Sequence, residues 1–353
     1  MYRSFFDRLN GRQSNSLLEQ LLPKASSATP NGGFYGLRAA TRLAIATLIA
    51  ILTLALASKI FALELVPVNA SSWDALKSKI GGSCPHDETE AVPYPDSIPR
   101  TALATYPRSG SSFTRNLVEK ATGFQTSSIY CDKRLSHFKA ECLGLDSPFL
   151  IKTHYPFSHS RDIDPTVPHW THYSRAVRVV RNPFDCLWSS FHFSRSGNHS
   201  ARVEGVESLS LSVEAHRTFL EDALKDWVEH ARYWREDVDI PVHIVRYEDL
   251  RTNGPESLEG LVDFFVPPEH QPSSRRIACA TADDPSKDPY YSRKSSLFSA
   301  WKHYDAETRL WILDTARDEW CRRDFNTLFE EALGLPAPID CATMSVVLPG
   351  QAQ

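Results

Sequence analysis

The chain has 353 residues, 42% hydrophobic and 23% charged, the balance of a globular protein with a substantial core, read as one domain of about 240 residues plus attachments. Its 39 basic residues stand against 43 acidic ones, a formal net charge of −4. That balance excludes a global basic field that recruits nucleic acid or a polyanion, so any anion site must be local.

Taken in chain order, residues 1–42 read as a short, mostly unstructured tail. Leu43 to Ser58 then carries no charge and is bracketed by Arg42 and Lys59. Extended to Leu63, with the Lys59 amine reaching back to the headgroups, the segment spans about 31 Å, enough for a bilayer core. Arg3, Arg8, Arg12, Lys24, Arg38 and Arg42 precede it against Asp7 and Glu19. The positive-inside rule therefore puts the N-terminus in the cytosol and the bulk of the chain across a membrane, as a single-pass type II protein. Residues 1–42 are too long for the leading region of a cleaved signal peptide. A buried core helix is the other reading of 43–63, although it has nothing obvious to pack against. Residues 64–99, with Pro67, Pro85, Pro93, Pro95, Pro99 and Gly81-Gly82, read as a stem.

The folded part, residues 100–335, alternates strand and helix patterns. Strands are expected at 101–106, 149–153, 176–180 and 242–245. Helices are expected at 112–122, 183–193, 213–235 and 258–265, with a long helix or a pair at 307–333. Alternation of this kind predicts an α/β fold, a parallel sheet flanked by helices on both faces. The tail 336–353 is expected to be irregular. Seven cysteines suit an oxidising compartment: Cys84, Cys131, Cys142, Cys279, Cys321 and Cys341 allow three bridges of open pairing, while Cys186 in a helical pattern reads as a buried thiol. The sequons at Asn69 and Asn198 agree with a lumenal domain.

Four polar constellations sit at the ends of these strands. Arg108-Ser-Gly-Ser-Ser-Phe113 joins the first strand to the first helix and can present N–H groups, hydroxyls and one guanidinium to an anion. It lacks the second Gly and the Lys of a Walker loop, which leaves a phosphate or phosphosulfate binder. Lys152-Thr-His154 ends the next strand, where a His can take a proton and a Lys can neutralise charge; a structural histidine is the alternative. Arg181 closes the following strand and Ser189 lies two turns along the helix opened by Pro183, a pairing able to grip one phosphate; an Arg181–Asp185 ion pair is the plainer reading. Tyr247-Glu-Asp-Leu250 follows the last strand, and its ring either packs on a base or belongs to the core. Lys133, Arg134, His137 and Lys139 form a basic stretch that either meets an acidic acceptor or is a solvated loop. No HExxH or paired CxxC spacing points to a metal.

In this arrangement the segments TYPRSGSSF, KTH, RNPFDCLWS and YEDL resemble the sulfotransferase superfamily that uses 3′-phosphoadenosine 5′-phosphosulfate (PAPS). The eight-residue step from Arg181 to Ser189 matches that family's 3′-phosphate motif. ATGFQTSSIYCD and the context of KTH look most like the sulfotransferase domain of membrane-anchored WSC-domain-containing proteins of the Golgi type, here without the Cys-rich WSC module. The resemblance implies a P-loop-type sulfotransferase fold and sulfuryl transfer from PAPS to a hydroxyl or amine of a lumenal acceptor, a glycan or glycoprotein, at a Golgi or other secretory membrane. It implies that Arg108, Ser109, Gly110, Ser111 and Ser112 hold the 5′-phosphosulfate, with Phe113 where the family stacks adenine. Arg181 and Ser189 would grip the 3′-phosphate, with Tyr247 near the adenine. His154 would be the base, with Lys152 and Arg108 stabilising charge. Arg293 and Lys294 match only part of the family's C-terminal basic-glycine segment. The rival readings are a membrane-anchored nucleotide- or glycan-binding pseudoenzyme and a P-loop kinase.

Overall fold

The computed structural model describes residues 95, 97–146, 149–157, 167–198, 202–282 and 296–348. Five strands, β1 (Thr101–Thr105), β2 (Ser127–Ser128), β3 (Leu150–Thr153), β4 (Arg175–Val180) and β5 (Val242–Arg246), form one sheet in the order β2-β3-β1-β4-β5. Every pairing in it is parallel. The chain leaves β1 toward β2 and β3 on one side and resumes at β4 on the other. A crevice therefore opens beyond the carboxyl end of β1, where such sheets bind ligands.

Eight helices of the described residues accompany the sheet: α1 (Ser111–Thr122), α2 (Pro183–Ser196), α3 (Glu214–Arg232), α4 (Tyr247–Thr252), α5 (Gly254–Phe265), α6 (Ser274–Ala282), α7 (Ala306–Arg322) and α8 (Phe325–Leu333). Alternate strand residues feed opposite faces. Leu103, Val177 and Val179 pack with Leu117 and Val118 of α1 and Leu261 of α5. Ala102, Ala104 and Ala176 leave room on the other face for Trp234, which is fully buried. Helices α2, α3, α7 and α8 close a second large core around Phe184, Trp227 and Trp320. Both faces are thus covered, as a purely parallel sheet requires.

Most expected elements appear within a few residues of their anticipated ends. The long C-terminal pattern is a pair of helices, divided at Asp324, whose φ is 51°. Residues 336–348 are more ordered than expected. Strands β6 (Ile339–Asp340) and β7 (Ser345–Val346) pair antiparallel, a Cys321–Cys341 disulfide ties them to α7, and Ile339 and Leu348 enter the core. Among the other cysteines Cys131 pairs with Cys142, Cys279 is disulfide-bonded and Cys186 is a buried free thiol, while Cys84 lies outside the described residues. Among the described residues no helix is long and apolar enough to cross a membrane. The expected anchor at 43–63 and most of the stem lie outside them.

One buried carboxylate locks the sheet to α7. Glu319 lies 2.8 Å from Arg178 of β4, with exposures of 3% and 2%, and also meets Arg235 at 3.0 Å and Arg323 at 3.1 Å. Removing it leaves a guanidinium under the sheet uncompensated. Glu319→Ala is therefore expected to lower unfolding free energy by about 3–5 kcal/mol in urea titration. Asp318→Ala, which breaks the exposed pair with Arg322 and a 3.4 Å pair with Arg235, should cost under about 1 kcal/mol. Equal small losses would show that the buried pair does not hold α7 in place.

Candidate functional site

The loop from β1 to α1 passes through the left-handed region at Arg108 (φ 70°) and Gly110 (φ 99°). A side chain at Gly110 is excluded twice: by that φ, and because a Cβ would stand 2.4 Å from Cδ2 of Tyr247. Helix α1 has no side-chain cap and no acidic residue in its first turn. Its leading N–H groups at Ser111 and Ser112 border a cavity and form, with the helix dipole, a seat for an anion. Ser109 is the exception in this loop. It is 1% exposed, its hydroxyl lies 3.4 Å from Cys186 Sγ, and its N–H donates to the Tyr106 carbonyl. Burial pushes the Cys186 thiol up to about 11, so it stays protonated and donates to the Pro107 carbonyl at 3.3 Å. Ser109 and Cys186 therefore brace the loop from behind.

His154 follows β3 directly. Its Nδ1 lies 2.6 Å from the Thr105 carbonyl oxygen and 3.0 Å from Thr105 Oγ1. A carbonyl only accepts, so Nδ1 carries the proton and Nε2 of the neutral ring is the basic nitrogen. Tyr130, which the sequence did not single out, stacks on the imidazole at 5.3 Å and 16°, and its Oη accepts the His154 backbone N–H at 2.7 Å. The Trp234 indole donates to the Tyr155 carbonyl at 2.8 Å, fixing the backbone just beyond. Lys152 is 6% exposed, with Nζ 5.8 Å from the Tyr130 ring centroid. Burial foremost, then the Arg115 guanidinium, lowers its ammonium to about 8.

Arg181 closes β4, donating to the Arg108 carbonyl at 3.0 Å and lying 4.7 Å from the centroid of the Tyr247 ring. The plainer reading of this residue is present only weakly, since Asp185 stands 3.9 Å away. Asp185 instead accepts the backbone N–H groups of Phe298 and Ala300, both at 2.9 Å. The Nε of Arg181 is buried without a hydrogen-bond partner. Arg108 donates from Nε to Ser189 Oγ at 3.0 Å, so guanidinium and hydroxyl form one polar edge. Tyr247 covers Gly110, meets Phe113 edge to face at 5.7 Å and accepts from Arg251 at 3.0 Å. Phe113 is only 8% exposed, so its ring belongs mostly to the core.

Four sequence segments thus meet on one cavity of about 1070 Å³. Arg108, Gly110, Ser111, Ser112, Phe113, Lys152, His154, Arg181, Ser189 and Tyr247 all line it. Ser109 does not, and Arg293 and Lys294 lie outside the described residues. Tyr130, Arg251, Asp222 and Asp226 complete the wall without having been anticipated. Residues 99–305 match the family model for the sulfotransferase domain. The chain belongs to the sulfotransferase family. It is 29% identical over 226 residues to the WSCD family member CG9164 of Drosophila melanogaster, covering 63% of this chain and 65% of that one. Cytosolic sulfotransferase 15 of Arabidopsis thaliana is 29% identical over 140 residues, covering 38% of this chain and 36% of its own. The chain thus spans less than two thirds of the curated relatives it matches. Mouse sulfotransferase SULT7A1 complexed with PAP aligns over 69% of this chain and 90% of its own, at 20% identity and a TM-score of 0.43.

The loop geometry of this sulfotransferase carries a direct test. Gly110→Ala should cost at least about 1–3 kcal/mol by urea unfolding, because strain and the Tyr247 clash add. Gly260→Ala, on α5 with nothing within 4 Å of its Cβ, should be neutral or stabilising by up to about 1 kcal/mol. Indistinguishable variants would remove Gly110 from its role under the tyrosine.

Proposed function

We propose that this sulfotransferase moves a sulfuryl group from PAPS to a hydroxyl or amine of a glycan or glycoprotein acceptor. The observation that carries the reading is the meeting of Arg108, Lys152, His154 and Arg181 on one cavity beyond the strand ends. Each part suits a doubly anionic nucleotide. The uncapped α1 N-terminus offers N–H groups to a 5′-phosphosulfate. Arg181, with its orphaned Nε, and Ser189 offer donors to a 3′-phosphate.

PAPS supplies the sulfuryl group, the acceptor oxygen or nitrogen bonding to sulfur as sulfur parts from the 5′-phosphate oxygen. His154 Nε2 takes the acceptor's proton, the Thr105 carbonyl having fixed Nδ1–H on the far side of the ring. Lys152 and Arg108 balance negative charge on the leaving phosphate, which needs preorganised cations more than covalent chemistry. The disulfides Cys131–Cys142 and Cys321–Cys341 support a secretory-pathway lumen. With the apolar segment 43–63 and the sequons, they favour a type II enzyme of Golgi or related membranes.

His154→Ala should reduce turnover by roughly 10²–10⁴-fold while affinity for adenosine 3′,5′-bisphosphate (PAP) stays near wild type by calorimetry. Equal losses in both would make His154 structural. Arg181→Ala should instead weaken PAP by at least about tenfold, on the scale of a lost charged hydrogen bond; unchanged affinity would remove it from the nucleotide site.

Lys152 adds a pH signature. Its ammonium is lowered to about 8, so the free protein loses this cation as pH rises through 8. The profile of kcat/KM should fall above about pH 8, and the limb in kcat should lie higher, because bound anions favour the charged form. A Lys152→Arg variant that keeps the same limb would assign it to another group. For stability the sign is opposite. The folded protein releases this proton before the unfolded chain does, so the burial cost is fully present below about pH 8. It is relieved as pH climbs toward the unfolded value of 10.5.

A further inference from the structure

Resting on the sulfotransferase reading of this cavity, we infer that its acceptor half is built for a sugar ring that carries a free ammonium group. The wall is divided by charge. Arg108 of the β1–α1 loop, Lys152 of β3, Arg181 after β4 and Arg251 of α4 bring cations to it, whereas Asp222 and Asp226 enter from α3, one helical turn apart. The third carboxylate of the wall, Asp132, is taken up by Arg134 at 2.8 Å. Among the described residues neither Asp222 nor Asp226 forms a salt bridge, although the Lys225 ammonium on the same helix acts on Asp226. Burial and the neighbouring Glu229 and Asp222 carboxylates push the Asp226 acid up, a strain that a cation placed between the pair would relieve.

Asp226 reaches toward the base. Burial foremost, then Cys186 and the Asp226 carboxylate, raise the Tyr106 phenol, and Tyr106 directly follows the Thr105 carbonyl that holds His154. His230, one turn beyond Asp226, meets the Tyr106 ring at 6.4 Å. It is lowered by burial, then by Arg178 and His154, and its Nε2 has no partner.

A second, independent feature is aromatic. Phe157 lines the cavity yet is 45% exposed, edge-on to Tyr106 at 5.4 Å. Phe219, on the same face of α3 as Asp222 and Asp226, lines it too. An open phenyl in a cavity wall is surface awaiting a partner, and the C–H face of a pyranose is such a partner. Aromatic faces flanked by two carboxylates outside any salt bridge of the described residues fit a de-N-acetylated amino sugar whose ring stacks and whose ammonium pairs. A carboxylated or sulfated sugar would meet like charge there and be rejected.

The test uses three matched probes, the 4-nitrophenyl β-glycosides of glucosamine, N-acetylglucosamine and glucuronic acid. Binding to the full-length protein is measured by saturation-transfer NMR titration, with and without saturating PAP. The glucosaminide should bind at least about tenfold more tightly than the glucuronide, the scale of one ion pair lost and one repulsion gained. Asp222→Asn/Asp226→Asn should abolish that discrimination and leave PAP affinity unchanged. The single exposed Asp222→Asn should halve the logarithm of the ratio and guards against a misfolded double variant. A glucuronide bound as tightly as the glucosaminide, no binding of the glucosaminide, or discrimination that survives both variants would overturn the inference. PAP titration reads the nucleotide site separately: loss of PAP binding would sink the sulfotransferase reading, and the ammonium preference is still read without PAP.

Discussion

The contact on which the site depends is the one between the Thr105 carbonyl and His154 Nδ1, at 2.6 Å. It joins the last residue of β1 to the residue just past β3, neighbouring strands whose register pairs Ala104 with Thr153. Because both partners lie at strand ends, the imidazole's position is inherited from the sheet rather than from a mobile loop. Because the acceptor is a carbonyl, the tautomer is inherited as well. Tyr130 adds a stacked ring and a hydrogen bond to the backbone of the same residue. Tyr130 is itself held by the adjacent Cys131–Cys142 bridge. The base is therefore set by the Thr105 carbonyl, by Tyr130 of the same cavity wall and by the bridge behind that tyrosine.

A second constraint is electrostatic. The fold buries several guanidinium groups near one another and disposes of their charge away from the cavity. Arg115 is fully buried and ion-paired to Glu141, 3% exposed, while its Nε donates to Thr126 at 2.7 Å. Arg178 is matched by Glu319. Glu248, raised by burial, spends its carboxylate on the N–H and side chain of Asn182 rather than on Arg181. Asp185 is spent on the backbone at Phe298 and Ala300. Arg181 therefore reaches the cavity with a buried Nε that has no hydrogen-bond partner, a donor that an anion can take up. Such an arrangement costs folding stability, and the burial penalty on Lys152 is its clearest measure.

How much of this was legible in the sequence follows from how local each feature is. The loop 108–113, the Pro183 helix start and the apolar strand runs are local chemistry, so motif and periodicity locate them. Strand β2 is two serines long and exists because the edge of β3 offers unpaired backbone groups; no alternation could announce it. Helix α6 carries Arg275 and Arg276 beside a weak apolar pattern and is held by packing of Ile277 and Ala280 against α1 and α5. The C-terminal hairpin depends on a disulfide twenty residues apart in sequence, which composition cannot pair. Within the site, Tyr130, Asp222 and Asp226 were invisible for the same reason, since nothing near them in sequence declares which face they share. Ser109 marks the converse. A motif fixes the residue's place in the loop but not which way its hydroxyl turns, and Cys186, far along the chain, decides that.

The reach of the tyrosine at 247 shows how these scales combine. Its position after β5 is local, yet its ring covers Gly110 from the β1 loop and stands under the Arg181 guanidinium from β4. Three strand ends are therefore packed through one aromatic ring, and the glycine is needed because that ring sits where a Cβ would be. Arg251, one turn along α4, donates to the same phenol and adds a cation to the wall. Displacing the ring would move the glycine turn, the arginine and the first turn of α1 together. The polar half of the cavity thus behaves as one packed unit, and α3 is tied to it, because Leu224 and Trp227 share one core with Tyr106, Val180 and the loop-bracing Cys186. Asp222 and Asp226 stand on the cavity face of α3 outside that core, so an acceptor preference can change there without repacking the nucleotide seat.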